Sequence, residues 1–368
     1  MARIAFYAPL KPPDHDVPSG DRRVARLFVE ALRLAGNEVL VASRLRSFDG
    51  DGDPARQSRI AARADTIAYR LIDRWRRRPQ TAPDLWFTYH LYYKAPDWLG
   101  PAVSQALRIP YVIAEASVAM KRAAGPWALG HCGVVEALRR ADLVIGLNPA
   151  DREGVQPFTR SRAWMELPPF LDTRLYRQVP RAPDGPANLV TVAMMRSGDK
   201  LASYRLLGAA LARLLNLAWT LDVIGDGPAR DEVEAALAPL GSRVRFLGEA
   251  SGTEVAARLA GADLFVWPAI NEAYGMALLE AQASGVAVVA GNSGGVGTII
   301  ADGETGLLTP PGEIDAFAAA MRQLIEDPAR CASFGEAAQR KTLREHDLAA
   351  AAQRLAAMLS TLRSDRAA

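Results

Sequence analysis

Asn271-Glu-Ala-Tyr-Gly-Met-Ala-Leu-Leu-Glu-Ala-Gln-Ala-Ser-Gly285 lies just beyond a short apolar run, Asp263-Leu-Phe-Val-Trp-Pro268. The apolar run predicts a strand, and Ala277, Leu278, Leu279, Glu280, Ala281 and Ala283 predict a helix. The loop between them carries Glu272 and Tyr274-Gly275-Met276 to the carboxyl edge of a sheet. Glu272 and Glu280 are then one loop and one helical turn apart, two carboxylates able to face one crevice. The unsatisfied N–H groups of the first helical turn lie between them. Amides suit phosphate and sugar oxygens and carboxylates suit hydroxyl pairs, so the segment fits a nucleotide-diphosphate sugar.

Working outward, strand-like and helical runs alternate along all 368 residues, which argues an α/β fold with parallel sheets. Strands are expected at 4–8, 38–42, 85–89, 111–114 and 143–147, with helices near 21–35, 101–107 and 134–140. Leu167-Pro-Pro-Phe-Leu-Asp-Thr173, followed by Pro180, Pro183, Gly185 and Pro186, reads as an interdomain linker. Strands then restart at 189–193, 220–224, 243–246, 264–267 and 286–290, and an Ala-rich amphipathic helix closes the chain near 347–362. Two doubly wound domains follow: 1–172, joined by the closing segment 347–368, and 173–346. Ligands of such folds bind at strand carboxyl ends, here in a central cleft faced by both domains.

Composition narrows the classes. Lys+Arg number 44 against 41 Asp+Glu, a net charge of +3 that gives no field for nucleic acid. Cys132 and Cys331 suggest neither a disulfide framework nor a zinc site. Met1-Ala-Arg-Ile-Ala-Phe-Tyr-Ala-Pro9 reads as a strand rather than a signal peptide, and no apolar run approaches the ~20 residues that span a bilayer. The chain reads as cytoplasmic. Between Arg56 and Arg78 lie eight Arg and two Asp, with Ile60, Ala64, Ile67, Leu71 and Trp75 on one helical face. Such a helix either meets anionic lipid at the inner membrane face or packs on the core with a solvated arginine face. Asp49-Gly-Asp-Gly-Asp53 imitates a calcium loop, but Pro54 and Ile60 occupy positions that need Gly and Glu, so a mobile polar loop is expected.

The Glu272–Gly285 stretch resembles the E-x7-E signature of the retaining glycosyltransferases of family 4, with Tyr-Gly after the first glutamate and Leu-Glu-Ala-x-Ala-x-Gly at the second. The resemblance implies the GT-B fold and a closing helix that crosses back to the first domain. It further implies that Glu280 holds the donor ribose and Glu272 the transferred sugar, with Tyr274, Gly275 and Met276 beside them. In Met194-Met-Arg-Ser-Gly-Asp-Lys200, Arg196 and Lys200 stand where the family places two cations for the diphosphate, although spaced one residue closer than usual. Such an arrangement needs no metal and no cofactor; the donor is a UDP- or GDP-sugar. Phe246-Leu-Gly248 corresponds to the segment whose backbone reads the nucleobase, making Leu247 either a base contact or core.

Val223-Ile-Gly-Asp-Gly-Pro228 matches a family turn with a fold role. Gly291-Asn-Ser-Gly-Gly-Val-Gly-Thr298 is not a phosphate-binding Walker loop, because no Lys precedes Thr298 and the glycine spacing differs. Gly297 and Thr298 replace the family's Pro and Glu there, so helix capping is expected of Thr298. Gly303-Glu-Thr-Gly-Leu-Leu-Thr-Pro310 reads as a turn.

In the first domain, Pro18-Ser-Gly-Asp-Arg-Arg23 lets Gly20 approach a donor diphosphate at a helix N-terminus. His90 ends a strand within Trp86-Phe-Thr-Tyr-His-Leu-Tyr-Tyr93; it is a cleft residue near sugar or acceptor, or a satisfied core histidine. Glu115 stands where the family often has a second His. The function expected is transfer of a sugar, with retention, to a hydroxyl of a saccharide or lipid-linked acceptor bound by the first domain around His90, Glu115 and the basic helix Arg56–Arg78. The alternatives are another GT-B activity, an epimerase or a phosphorylase, or a non-catalytic sugar-nucleotide-binding scaffold.

Overall fold

The computed structural model describes residues 1–17, 19–160, 163–176 and 185–367. Pro18, Pro180 and Pro183 of the expected loop and linker lie outside the described residues. Contacts divide the chain into Met1–Pro168 with Leu348–Ala368, and Pro169–Asp347.

The first unit is built on parallel strands β1 (Arg3–Tyr7), β2 (Glu38–Ser43), β3 (Leu85–Leu91), β4 (Tyr111–Ala116), β5 (Leu143–Gly146) and β6 (Trp164–Glu166), in the order β2-β1-β3-β4-β5-β6. Helices cover both faces, so the central strands are buried almost throughout and read as continuous apolar runs rather than alternating ones. On one face Phe6 stacks on Phe87 with centroids 5.8 Å apart, and Phe28 packs at a tilt against Phe87 at 5.7 Å. On the other, Leu71, Trp75, Trp86 and Leu138 share a core. That core holds one buried carboxylate, Asp97, which accepts from Tyr111 Oη at 2.9 Å and from the Leu99 and Gly100 amides at 2.8 Å. The closing helix, Leu348–Ala367, packs on the opening helix Gly20–Leu34.

The second unit repeats the plan with β7 (Ala187–Val192), β8 (Trp219–Ile224), β9 (Val244–Gly248), β10 (Leu264–Trp267), β11 (Ala287–Gly291) and β12 (Gly306–Thr309), ordered β12-β11-β10-β7-β8-β9. Its entering and leaving segments are tied together: Leu171 N donates to His346 O at 3.0 Å, and His346 Nδ1 contacts Pro169 O at 2.6 Å.

The structure corrects several sequence expectations. Each sheet has a sixth strand at one edge. Trp164–Glu166 is only 3 residues long, and Gly306–Thr309, expected as a turn, pairs in parallel with β11. The helix expected from residue 134 begins at Ala128. Asp49–Asp53 is no mobile loop: Asp49 is buried, accepting from Asp53 N at 2.9 Å and Gln57 Nε2 at 2.8 Å, while Asp53 caps the helix Pro54–Arg77. That helix buries Gln57, Ala64, Ala68, Leu71 and Trp75. Ile60 and Ile67 are half-buried, and all the arginines from Arg56 to Arg78 are exposed.

Candidate functional site

In a doubly wound sheet, ligands settle where neighbouring strands send their connections to opposite sides. In the second unit that point lies between β7 and β10. The loop after β7 carries Arg196, and the first turn of the helix that follows it, Asp199–Ala212, carries Lys200; the loop after β10 carries Glu272. The β10 loop is tied to that helix, Ile270 N donating to Ser203 Oγ at 3.1 Å and Asn271 Nδ2 to Asp199 Oδ1 at 3.2 Å.

Lys200 Nζ pairs directly with Glu272 Oε2, which also accepts from Trp267 Nε1 at 3.2 Å. The ammonium lies 5.3 Å from the centre of the Trp267 ring. Lys200 and Glu272 are partly exposed, so the pair can open toward a ligand at modest cost, unlike a fully buried ion pair. Arg196 is exposed and makes no ion pair among the described residues, which leaves its guanidinium fork free for an anion.

Gly275 caps the helix Met276–Ala283 with φ 74, and a side chain there would meet Leu278 at 2.8 Å and Glu272 at 3.2 Å. Only glycine permits both the left-handed turn and this approach. Leu278 N returns to Gly275 O at 3.0 Å, whereas helix geometry leaves the Met276 and Ala277 amides without an intrahelical acceptor. Tyr274 is buried at the loop, and Glu280, 4% exposed, sits one turn into the helix. Leu247 is half-buried near the end of β9, the edge strand, with Gly248 beside it at φ 73.

The glycine-rich loops act as spacers. A Cβ at Gly294 would lie 2.2 Å from Glu272 O, and one at Gly291 2.1 Å from Pro268 O. The loop 291–298 thus buttresses the Glu272 loop by close backbone contact. Gly225 and Gly227 play the same part under Ala193 and Met195, where Cβ atoms would come within 2.0 and 2.3 Å of carbonyl oxygens. Thr298 does not cap its helix, contrary to expectation. It lies inside Val296–Ile299, and its hydroxyl donates back to Gly295 O at 2.6 Å.

The first unit has its own switch point between β1 and β3. Ser19 caps the opening helix, Gly20 is exposed, and a Cβ on Gly20 would meet nothing within 4 Å, so close backbone approach there is permitted but not demanded. At the strand ends, His90 and Glu115 both adopt left-handed backbone, φ 62 and 59, uncommon for residues with a side chain. His90 Nδ1 lies 3.1 Å from Asp21 Oδ1 and 3.9 Å from Glu115 Oε1, charge contacts without hydrogen-bond alignment. Burial disfavours the imidazolium, but Glu115 and Asp21 outweigh it and raise the His90 pKa. Asp151 completes the cluster; burial, then the Glu115 charge, push its carboxyl up to about 6. Asp21 and Asp151 were not singled out in the sequence, where nothing marks them as neighbours of a strand-end histidine. Among the described residues no group of His, Cys, Asp and Glu could hold a metal ion, and no helix is long and apolar enough to cross a membrane.

Residues 177–341 match the family described as glycosyl transferases group 1. The fold is the GT-B fold. A crystal structure of Anabaena HepE in complex with UDP covers 98% of this chain and 100% of its own, with a TM-score of 0.74 at 18% identity. The sequence is 35% identical over 122 residues to the sulfoquinovosyl transferase SQD2 of Arabidopsis thaliana, covering 32% of this chain and 24% of that protein. It is 32% identical over 192 residues to the lipopolysaccharide core biosynthesis glycosyltransferase LpsE of Rhizobium meliloti, covering 51% and 55%. These matches thus span about a quarter to about half of the relatives' length. The matched segment lies within the second unit.

Proposed function

We propose that this chain is a retaining glycosyltransferase that moves a hexosyl-type sugar from a nucleotide-diphosphate donor to a hydroxyl of a saccharide or lipid-linked acceptor. The supporting observation is the convergence of Arg196, Lys200 and Glu272 at one switch point, with Glu280 one turn into the adjoining helix. Glu280 holds the ribose, Glu272 orients the transferred sugar, and Arg196 and Lys200 take the diphosphate. The bond from the anomeric carbon to the diphosphate oxygen breaks while the acceptor oxygen bonds on the same face. The leaving phosphate oxygen accepts the acceptor's proton, so no protein nucleophile is needed. The two cations stabilise charge as it builds on that oxygen, and no metal is required of them. HepE is described with UDP and with UDP-glucose, and a related mannosyltransferase as GDP-mannose-dependent, so either base suits the reading.

Incubation with UDP-, GDP- and ADP-sugars and an acceptor panel, in EDTA, should release nucleoside diphosphate from at least one donor. The first-formed product should keep the donor's anomeric coupling by NMR. An inverted product, or activity abolished by EDTA and restored by Mn²⁺ or Mg²⁺, would refute this mechanism.

The exposed arginine face of Pro54–Arg77 supports peripheral contact with anionic lipid at a cytoplasmic membrane face. Cosedimentation with phosphatidylserine vesicles should fall as salt rises and weaken when Arg76, Arg77 and Arg78 become Ser. Equal sedimentation of the variant and the parent would argue for a purely solvated face.

A further inference from the structure

We infer that Tyr93, Lys94, Arg122 and Trp127 form a binding site for a saccharide that carries a carboxylate or phosphate group. All four lie in the first unit. Tyr93 and Lys94 sit in the tight turn after β3, where Ala95 N bonds Tyr92 O at 2.8 Å. Arg122 ends a 3₁₀ turn beyond β4, and Trp127 precedes the helix Ala128–Arg140.

The site is held in place by specific contacts. A Cβ on Gly130 would lie 2.1 Å from Tyr93 O, so only glycine allows the helix to approach the turn this closely. Trp127 Nε1 donates to Asp49 O at 3.3 Å, anchoring the indole on the buried Asp49 turn. Tyr93 and Trp127 meet edge to face at 5.7 Å. Arg122 lies 4.5 Å over the Trp127 ring and 5.3 Å over Tyr93; Lys94 lies 5.3 Å and 6.0 Å over the same two rings.

Ring faces hold both cations, yet they neutralise neither. Among the described residues neither Lys94 nor Arg122 makes an ion pair, and Arg122 Nε is buried with no hydrogen-bond partner. The nearby acids are engaged elsewhere: Asp49 by Gln57 and the Asp53 amide, Asp51 by Arg56, Asp53 by Arg59. With its face on the indole, a guanidinium still presents its N–H edge, the geometry that takes a carboxylate or phosphate.

Position supplies the rest. Rings run in contact from His90 to Tyr92 (5.1 Å), Tyr92 to Tyr93 (5.7 Å) and Tyr93 to Trp127. The cations therefore stand at the far end of an aromatic path that begins at the His90 cluster. An extended acceptor whose reacting hydroxyl lies near His90 would bring an anionic group, carried one or more sugars away, to Lys94 and Arg122. This assignment rests on the acceptor side of the glycosyltransferase reading, but binding can be measured without turnover.

Titration of the whole chain with tetragalacturonate and with maltotetraose, followed by tryptophan fluorescence at low salt, provides the test. Glucose 6-phosphate and glucose form a second pair. At least one anionic probe should bind about tenfold more tightly than its neutral counterpart, with the preference shrinking as salt rises. The pair that discriminates identifies carboxylate or phosphate as the preferred group. The double variant Lys94→Gln, Arg122→Gln should lose most of the preference while retaining UDP binding and its melting temperature. Each single variant, Lys94→Gln and Arg122→Gln, should lose part of it, which keeps the test valid if the double variant does not fold. Equal affinity for charged and neutral probes, or a preference untouched in every folded variant, would overturn the site. Anionic binding without processing of any nucleotide sugar would leave this site standing and remove the catalytic reading instead.

Discussion

Glu272→Gln should lower turnover by roughly 30- to 1000-fold with the donor KM little changed, whereas Glu280→Ala should act mainly by raising donor KM over a similar range. The range corresponds to loss of a charged hydrogen-bond acceptor on a hydroxyl pair. Glu272 Oε2 serves Lys200 and Trp267 together. Glutamine can still accept from the indole but removes the charge that pairs with Lys200. Glu280 is buried within its helix, so melting temperatures must accompany the kinetics; Glu280→Gln, which conserves volume, supplies a second reading. Full activity in both Glu272→Gln and Glu280→Gln would discard the site assignment.

Arg196→Met and Lys200→Met should each depress kcat by about 10²- to 10³-fold, the scale of losing one charge-stabilising donor at a leaving group. The two differ in a diagnostic way. Arg196 is unpaired and exposed before donor binds, so its loss should not alter stability. Lys200 neutralises Glu272, so Lys200→Met leaves a partly buried carboxylate without its counterion. A double-mutant cycle over Lys200 and Glu272 should therefore be strongly non-additive, while Arg196 and Glu272 should combine closer to additively in stability. Additive stability losses across Lys200 and Glu272 would mean that the pair contributes little to the resting site.

The donor-side residues were legible because their types are chemically demanding and lie close in sequence to a strand and a helix. Glu272, Gly275 and Glu280 needed only the strand-loop-helix reading to come together. Meeting Lys200 requires β7 and β10 to be neighbours, which depends on strand order rather than on local pattern. The short edge strands escaped because three or four residues are too few to carry a periodicity. The start of the helix at Ala128 was masked by Gly130 and Gly133, residues that weaken a helix. Both are required by packing: side chains there would collide with Tyr93 O at 2.1 Å and with Trp98 at 2.6 Å. The Asp49 turn looked solvated because its composition is polar, yet a single buried carboxylate organises it.

The helix Leu348–Ala367 completes the first unit against Gly20–Leu34, although the whole of Pro169–Asp347 precedes it in the chain. On the ribosome, the second unit can emerge and fold while the first still lacks the surface that covers its opening helix. Incomplete chains therefore leave the face of the opening helix that meets Leu348–Ala367 uncovered for as long as the intervening residues take to be made. The order of synthesis thus makes the amino-terminal half the last to mature and the half most exposed to chaperones. A stop codon placed just before Leu348 should yield a chain whose second unit is folded and whose first is prone to aggregate.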